Sequence, residues 1–308
     1  MRRKTLLSTK HKTLISTICL FITAIIWGLA FVAQRSGIDY MGSFTYNAVR
    51  FALGAVSLLP LIFILERKSG FLKTAGYGLI CGVILFIASS LQQLGVEYTG
   101  SAGKAGFITG LYTVIVPIVG IFLGRKTSVL TWIAAVLALS GLYLLSVPKG
   151  LGSIGIGDVL LFCGAFFWAA HILLLDRFSA KLNPLQFSSV QFGVCAAISF
   201  VFALILESGK SGRLDMSGIL AGWLPLLYGG LLSVGVAYTL QVVGQRHVEP
   251  AKASIIFSLE SLFAALGAAL ILHERMSLNG YIGSALIFCG IILSQIPARK
   301  KEATASNG

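Results

Sequence analysis

Arg50, Lys104 and Glu260 are among the ionisable side chains that stand in or at the ends of long apolar runs, with Lys252 at the very end of its own. An ionised group at the middle of a bilayer costs about 2.5–3.5 kcal/mol on insertion scales, so each needs a partner or a purpose. Glu260 lies about 15 Å along the run 251–272 if that run is a helix rising about 1.5 Å per residue. It is the one acidic residue so deep, and two readings fit it. It is either a carboxyl that exchanges a proton or meets a substrate ammonium, or half of a buried ion pair with Arg50 or Lys104. Arg50, roughly two turns into its run, offers a bidentate fork for a substrate carboxylate. It serves equally as a partner for Glu260 or for helix ends. Lys104, flanked by Gly103 and Gly106, is a weaker cavity candidate whose alternative is snorkelling to the interface.

Uncharged polar and aromatic residues complete the set. His171 has the chemistry of a proton relay, and hydrogen-bonded packing is its other reading. Gln92, Gln191 and Gln241 supply donors and acceptors for a cavity wall. Trp27 and Trp168 stand within runs instead of at their ends, so they either wall a cavity or pack helices. No G-x-x-x-x-G-K-[ST] loop is present, which argues against direct ATP coupling in this chain. Neither a Ser/His/Asp set nor a metal-ligand set is evident, so neither an enzyme nor a bound cofactor or metal is expected. Cys19, Cys81, Cys163, Cys195 and Cys289 are scattered singly through apolar sequence and read as small hydrophobes.

The elements that must position these residues follow from composition. Of 308 residues 56% are hydrophobic and only 11% charged, with a mean hydropathy of +0.89, which makes lipid the solvent for most of the chain. A span needs about 20 apolar residues. Ten runs qualify: 14–33, 44–65, 75–95, 102–123, 129–147, 159–175, 185–206, 218–243, 251–272 and 278–296. The fold class expected is an all-α integral membrane protein. The basic N-terminus before the first run resembles a secretory signal, but that run is too long and Gln34-Arg35 follows it, so it reads as a retained span. Sixteen of the 24 Lys/Arg fall on the side of the termini and five on the other, which predicts cytoplasmic termini. The net charge of +13 therefore reports topology, and nucleic acid is not an expected partner.

The two halves resemble each other. Ile26-Trp27-Gly28-Leu29-Ala30 lies over Phe167-Trp168-Ala169-Ala170-His171, and Tyr46 to Phe51 over Phe187 to Phe192, at an offset of 141. Leu91-Gln92 and Gly95 lie over Leu240-Gln241 and Gly244 at an offset of 149, as do Gly141 and Gly290; a longer loop around 207–217 absorbs the change. Arg50 is thus matched by Gln191, and Glu260 by Leu111. The organisation expected is a tail at 1–13, a five-helix unit at 14–147, a connecting loop at 148–158, a second unit at 159–296 and a tail at 297–308. Five is odd, so the second unit is inverted. Arg125-Lys126 falls inside while its mate Glu274-Arg275 falls outside, and inverted repeats are a common plan of secondary transporters.

The chain resembles the drug/metabolite transporter superfamily, in particular the ten-span EamA-type permeases. The resemblance runs from Leu14 to about Ile296 and rests on Ile26-Trp27-Gly28, Asn47-Ala48-Val49-Arg50-Phe51, Glu249-Pro250-Ala251 through Ser258-Leu259-Glu260, and His273-Glu274-Arg275-Met276. Gly124-Arg125-Lys126 departs from the Gly-Glu-Arg turn usual in the first half. The resemblance implies export of small metabolites such as amino acids across a bacterial plasma membrane. It also implies a central cavity lined by spans one to four and six to nine. The partners expected are a small-molecule substrate, the lipid bilayer and a proton as coupling ion; a passive facilitator on the same fold is the alternative.

Overall fold

The computed structural model describes residues 2–65, 71–100, 102–125, 127–146, 154–180, 182–210, 212–271 and 277–296. Lys126, residues 272–276, most of the connecting loop and the C-terminal tail lie outside that set, as does the side chain of Lys104. The described residues are helical apart from turns. In order they form α1 (Arg2–Gly37), α2 (Ser43–Leu65), α3 (Phe71–Thr99), α4 (Ala102–Thr109), α5 (Tyr112–Phe122), α6 (Val129–Ser146), α7 (Ile156–Ser179) and α8 (Pro184–Leu206). Then follow α9 (Met216–Ala221), α10 (Trp223–Leu227), a π-helix (Tyr228–Tyr238), α11 (Thr239–Gly244), α12 (Pro250–Phe257), α13 (Leu259–Ile271) and α14 (Leu278–Gln295).

Seven helical stretches are long and apolar enough to cross a membrane: His11–Gly37, Ser43–Ile64, Thr74–Thr99, Ala105–Phe122, Ile156–Ser179, Pro184–Leu206 and Trp223–Gly244. Val129–Leu144 and Leu278–Ser294 are shorter apolar helices. Three of the runs read as single helices are not simple ones. The run 102–123 breaks over Gly110 and Leu111, between α4 and α5. The run 251–272 breaks at Ser258, whose hydroxyl donates back to Ile255 O at 2.6 Å and competes with the helical pattern. The run 218–243 widens into a π-helix after Pro225, across Gly229, Gly230 and Gly235, where α-helical preference is weak.

Helix starts show local and distant solutions to the same problem of unpaired N–H groups. Asn183 Oδ1 accepts from Leu185 N at 3.0 Å, with Pro184 in the first helical turn of α8. The start of α2 has no such neighbour. Glu207, at the end of α8, accepts there from Phe44 N and Thr45 N, each at 2.9 Å.

The helices pack as neighbours along their lengths: α6 with α14, α2 with α8 and the π-helix, α3 with α7 and α8, and α1 with α13 and the π-helix. Gly78 and Gly82 make the α3–α8 contact possible, because a Cβ at either would stand under 3.0 Å from Val190 or Val194. Loop contacts sort the helix ends onto two faces. Ser16 meets His247 at 3.2 Å, Arg125 pairs with Asp176, and Arg246 donates to Ser179 O at 3.0 Å, all on the face where α1 begins. Ser43, Glu97, Glu207 and Arg213 gather on the opposite face.

Candidate functional site

Between these faces the helices enclose a cavity of about 30 Å³. Its walls include Trp27, Phe31 and Gln34 of α1, Arg50 of α2, Gln92 of α3, Thr109 of α4 and Tyr112 of α5. From the second half come Trp168 of α7, Ser233 and Tyr238 of the π-helix, Gln241 of α11, Phe257 of α12 and Glu260 of α13. Six residues singled out from sequence, Trp27, Arg50, Gln92, Trp168, Gln241 and Glu260, thus meet in one place.

Glu260 stands in the first turn of α13, just after the break at Ser258, and α1 makes room for it. A Cβ on Gly28 would stand 2.6 Å from Glu260 O and 2.4 Å from Phe263 Cβ, so only glycine allows α1 to approach α13 so closely. The Tyr112 hydroxyl donates to Glu260 Oε1 at 2.9 Å. Among the described residues no ion pair joins Glu260 to Arg50, so the ion-pair reading of these two is not the arrangement found.

Arg50 is 2% exposed. Its Nε donates to Asn47 Oδ1 at 2.9 Å, one helical turn back on α2, and its guanidinium carbon lies 4.7 Å from the Phe51 ring centroid and 5.4 Å from that of Tyr46. These rings stabilise a desolvated cation, but its Nη2 finds no acceptor among the described residues. Asn47 Nδ2, Trp168 Nε1 and both amide atoms of Gln241 are buried without a partner there as well. An unmade bond at a buried donor costs about 1–3 kcal/mol.

An aromatic cluster fills the remaining wall. The Trp27 centroid lies 4.6 Å from Tyr238, 5.2 Å from Phe257 and 6.5 Å from Trp168, and its Nε1 donates to Ser233 O at 3.3 Å. His171 and Gln191 stand one layer behind this cluster. His171 Nε2 and Gln191 Oε1 are 3.0 Å apart, and the imidazole meets Trp168 and Tyr238 edge-on. Gln92 lines the cavity and donates to Gln34 Oε1 at 3.0 Å. Lys104 lies in α4, its side chain outside the described set.

Tyr112, Tyr238, Gln34 and Phe257 belong to the site and were not singled out from sequence. Hydroxyl groups inside apolar runs are the signal that points to Tyr112 and Tyr238; Gln34 falls just past the first run. The lining comes from the apolar runs one to four, six, eight and nine; the seventh stands behind it, with Gln191 on His171 and the Phe192 ring 5.8 Å from that of Tyr238.

This small cavity, with a few polar groups among aromatic and aliphatic walls, lies between helices apolar and long enough to cross a membrane. The chain belongs to the EamA-like transporter family, whose profile matches it twice, over residues 14–147 and 155–295. An uncharacterized transporter of Archaeoglobus fulgidus is 30% identical over 92% of this chain and 86% of that protein. The uncharacterized transporter YoaV of Bacillus subtilis is 23% identical over 90% of this chain and 96% of its own length. A solved crystal structure superposes with a TM-score of 0.78 at 17% identity, covering 94% of this chain and 98% of that one, a likeness of fold.

Proposed function

We propose that this protein is a secondary active transporter that exports small metabolites carrying both a carboxylate and an ammonium group, driven by the proton gradient. It works by alternating access of two inverted five-helix units in the cytoplasmic membrane, both termini cytoplasmic. The observation that carries this reading is the cavity itself. A guanidinium without an acidic partner and a carboxylate held by a tyrosine hydroxyl line one aromatic-walled space. Arg50 receives the substrate carboxylate, while Glu260 takes either the substrate ammonium or a proton, so that the two compete.

Three features support the inverted units. The family profile matches in two segments. The breaks at Gly110–Leu111 and Ser258 fall at nearly equivalent places at the 149-residue offset. The neighbour pattern is also conserved when the halves are exchanged, since α3 lies on α7 as α1 lies on the π-helix, and α2 lies on α8. At about 30 Å³ the cavity has the volume of roughly one water molecule. A metabolite site runs to about 300 Å³ or more, so the helices around the site must part to admit substrate.

Glu260→Gln tests the coupling. In proteoliposomes with an imposed pH gradient it should lose gradient-driven amino-acid flux to background while counterflow exchange persists. A variant that still concentrates substrate against its gradient removes Glu260 from proton coupling.

A further inference from the structure

The cavity is closed differently toward the two faces. On the face where α1 begins, a recess of about 240 Å³ is lined by Leu173, next to the cavity residue Ile172, by Val116, one turn from Tyr112, and by Pro250, two turns from Phe257. Toward the opposite face the matching depth is occupied by two tiers of hydrogen bonds. The lower tier joins α1 to α3, with Gln92 Nε2 donating to Gln34 Oε1 at 3.0 Å and Gln93 Nε2 to Gln34 O at 3.2 Å. The upper tier lies about 6–8 Å beyond it, counted at about 1.5 Å per residue along α3 from Gln92 and Gln93 to Glu97.

That upper tier is built by residues just after α8. Arg213 pairs with Glu97 near the end of α3, and the Ser43 hydroxyl donates to the other oxygen of the same carboxylate at 2.6 Å. Arg213 O accepts from Gly42 N at 2.8 Å. Glu207 clasps the start of α2 through Phe44 N, Thr45 N and the Thr45 hydroxyl, the last at 2.7 Å. The same helix carries Arg50 into the cavity two turns below.

We propose that Arg213, Glu97 and Ser43, with the Glu207 clasp, form the gate that closes the cavity on the face away from the termini. Opening there separates Arg213 from Glu97 and frees the start of α2. The inference rests on the transporter reading above. Three observations set this cluster apart from ordinary surface bonding. It ties the second half of the chain to α2 and α3 of the first, which must part if the halves move against each other. Its ion pair is partly exposed, 41% at Arg213 and 17% at Glu97, so water can replace it at small cost when it opens. Gly209 and Gly212 flank Lys210 at φ +78° and +74°, backbone that glycine adopts without strain and that lets the connection turn sharply. Glu207 and Arg213 fall in the stretch around 207–217 where the second half is longer than the first, while on the opposite face Arg125–Asp176 and Ser16–His247 join the two halves.

Access can be read directly. In a background with the five native cysteines replaced, Ala30→Cys places a thiol on the cavity wall. A membrane-impermeant cationic methanethiosulfonate is applied to intact cells and to inverted vesicles. Arg213→Gln and Glu97→Gln should each raise labelling from the gate face by about fivefold, the population shift expected on losing a weak ion pair. The charge-swapped double variant Glu97→Arg/Arg213→Glu should return it to the starting rate. Unchanged labelling in both single variants overturns the gate. A further double variant, Glu97→Cys/Arg213→Cys, should lose gate-face labelling and flux when oxidised and regain both with dithiothreitol. Undiminished labelling of Ala30→Cys in the cross-linked protein also overturns it. Labelling reports access alone, so an error in the substrate or proton assignment leaves these outcomes unmoved and shows instead in Glu260→Gln.

Discussion

Between α4 and α5 the helix gives way over Gly110 and Leu111; between α12 and α13 it gives way at Ser258, almost the same place at the 149-residue offset. Both breaks tighten to three-residue hydrogen bonds, from Leu111 N to Ile108 O and from Ser258 N to Ile255 O, each 3.2 Å. What stands beside them differs. Leu111, the sequence mate of Glu260, turns into an apolar recess of about 320 Å³ with Ile108 and Phe162. Its neighbour Tyr112 faces the cavity and bonds Glu260. One residue is about 100° of rotation on a helix with 3.6 residues per turn. A shared bend therefore leaves the chemistry open, and the direction of each side chain assigns it.

The sharpest way to break this comparison is to exchange the mates. Glu260→Leu/Leu111→Glu keeps the chain's composition but sends the carboxylate into the apolar recess. Gradient-driven flux should vanish, and thermal unfolding in detergent should show a loss of about 2–3 kcal/mol for the misplaced charge. Recovery of flux would mean that the two positions are equivalent after all. A smaller change tests the other asymmetric pair. Arg50→Gln copies the residue at its mate, Gln191, and removes a charged hydrogen-bond donor worth about 1.5–3 kcal/mol, so amino-acid binding measured by thermal shift should weaken about 10–150-fold. The folded state should lose little, because Arg50 has no acidic partner to strand among the described residues. The mildest test is Tyr112→Phe, which deletes only the hydroxyl on Glu260. Flux should fall about tenfold at most, in line with one bond of about 1.5 kcal/mol, with expression and melting temperature unchanged.

Much of this was legible in the sequence. The apolar runs place the helices closely: 44–65 is α2 within a residue, as 185–206 is α8, and 278–296 covers α14. Arg50, Glu260, Gln92, Gln241 and the two tryptophans were recognisable because polar or bulky groups deep in such runs need a reason to be there. The breaks were not legible, because hydropathy reads straight through Gly110 and Ser258. Neither was the π-helix, whose apolar residues look like those of any span. The ion pair considered between Arg50 and Glu260 is not the arrangement found: Asn47, one turn back, bonds Arg50, and Tyr112, distant in sequence, bonds Glu260.

Sequence alone determined that the chain lives in lipid, along which stretches it is helical, and which family it belongs to, since burial of apolar surface and local capping act over a few residues. Asn183 caps α8 from the position next to it. Tertiary structure decided what meets what. Glu207 caps α2 from 163 residues away, Tyr112 reaches Glu260 across 148, and Trp27 finds Ser233 across 206. Such contacts depend on the rotation and separation of packed helices. A single glycine such as Gly28 sets these through steric fit, and linear composition does not record them.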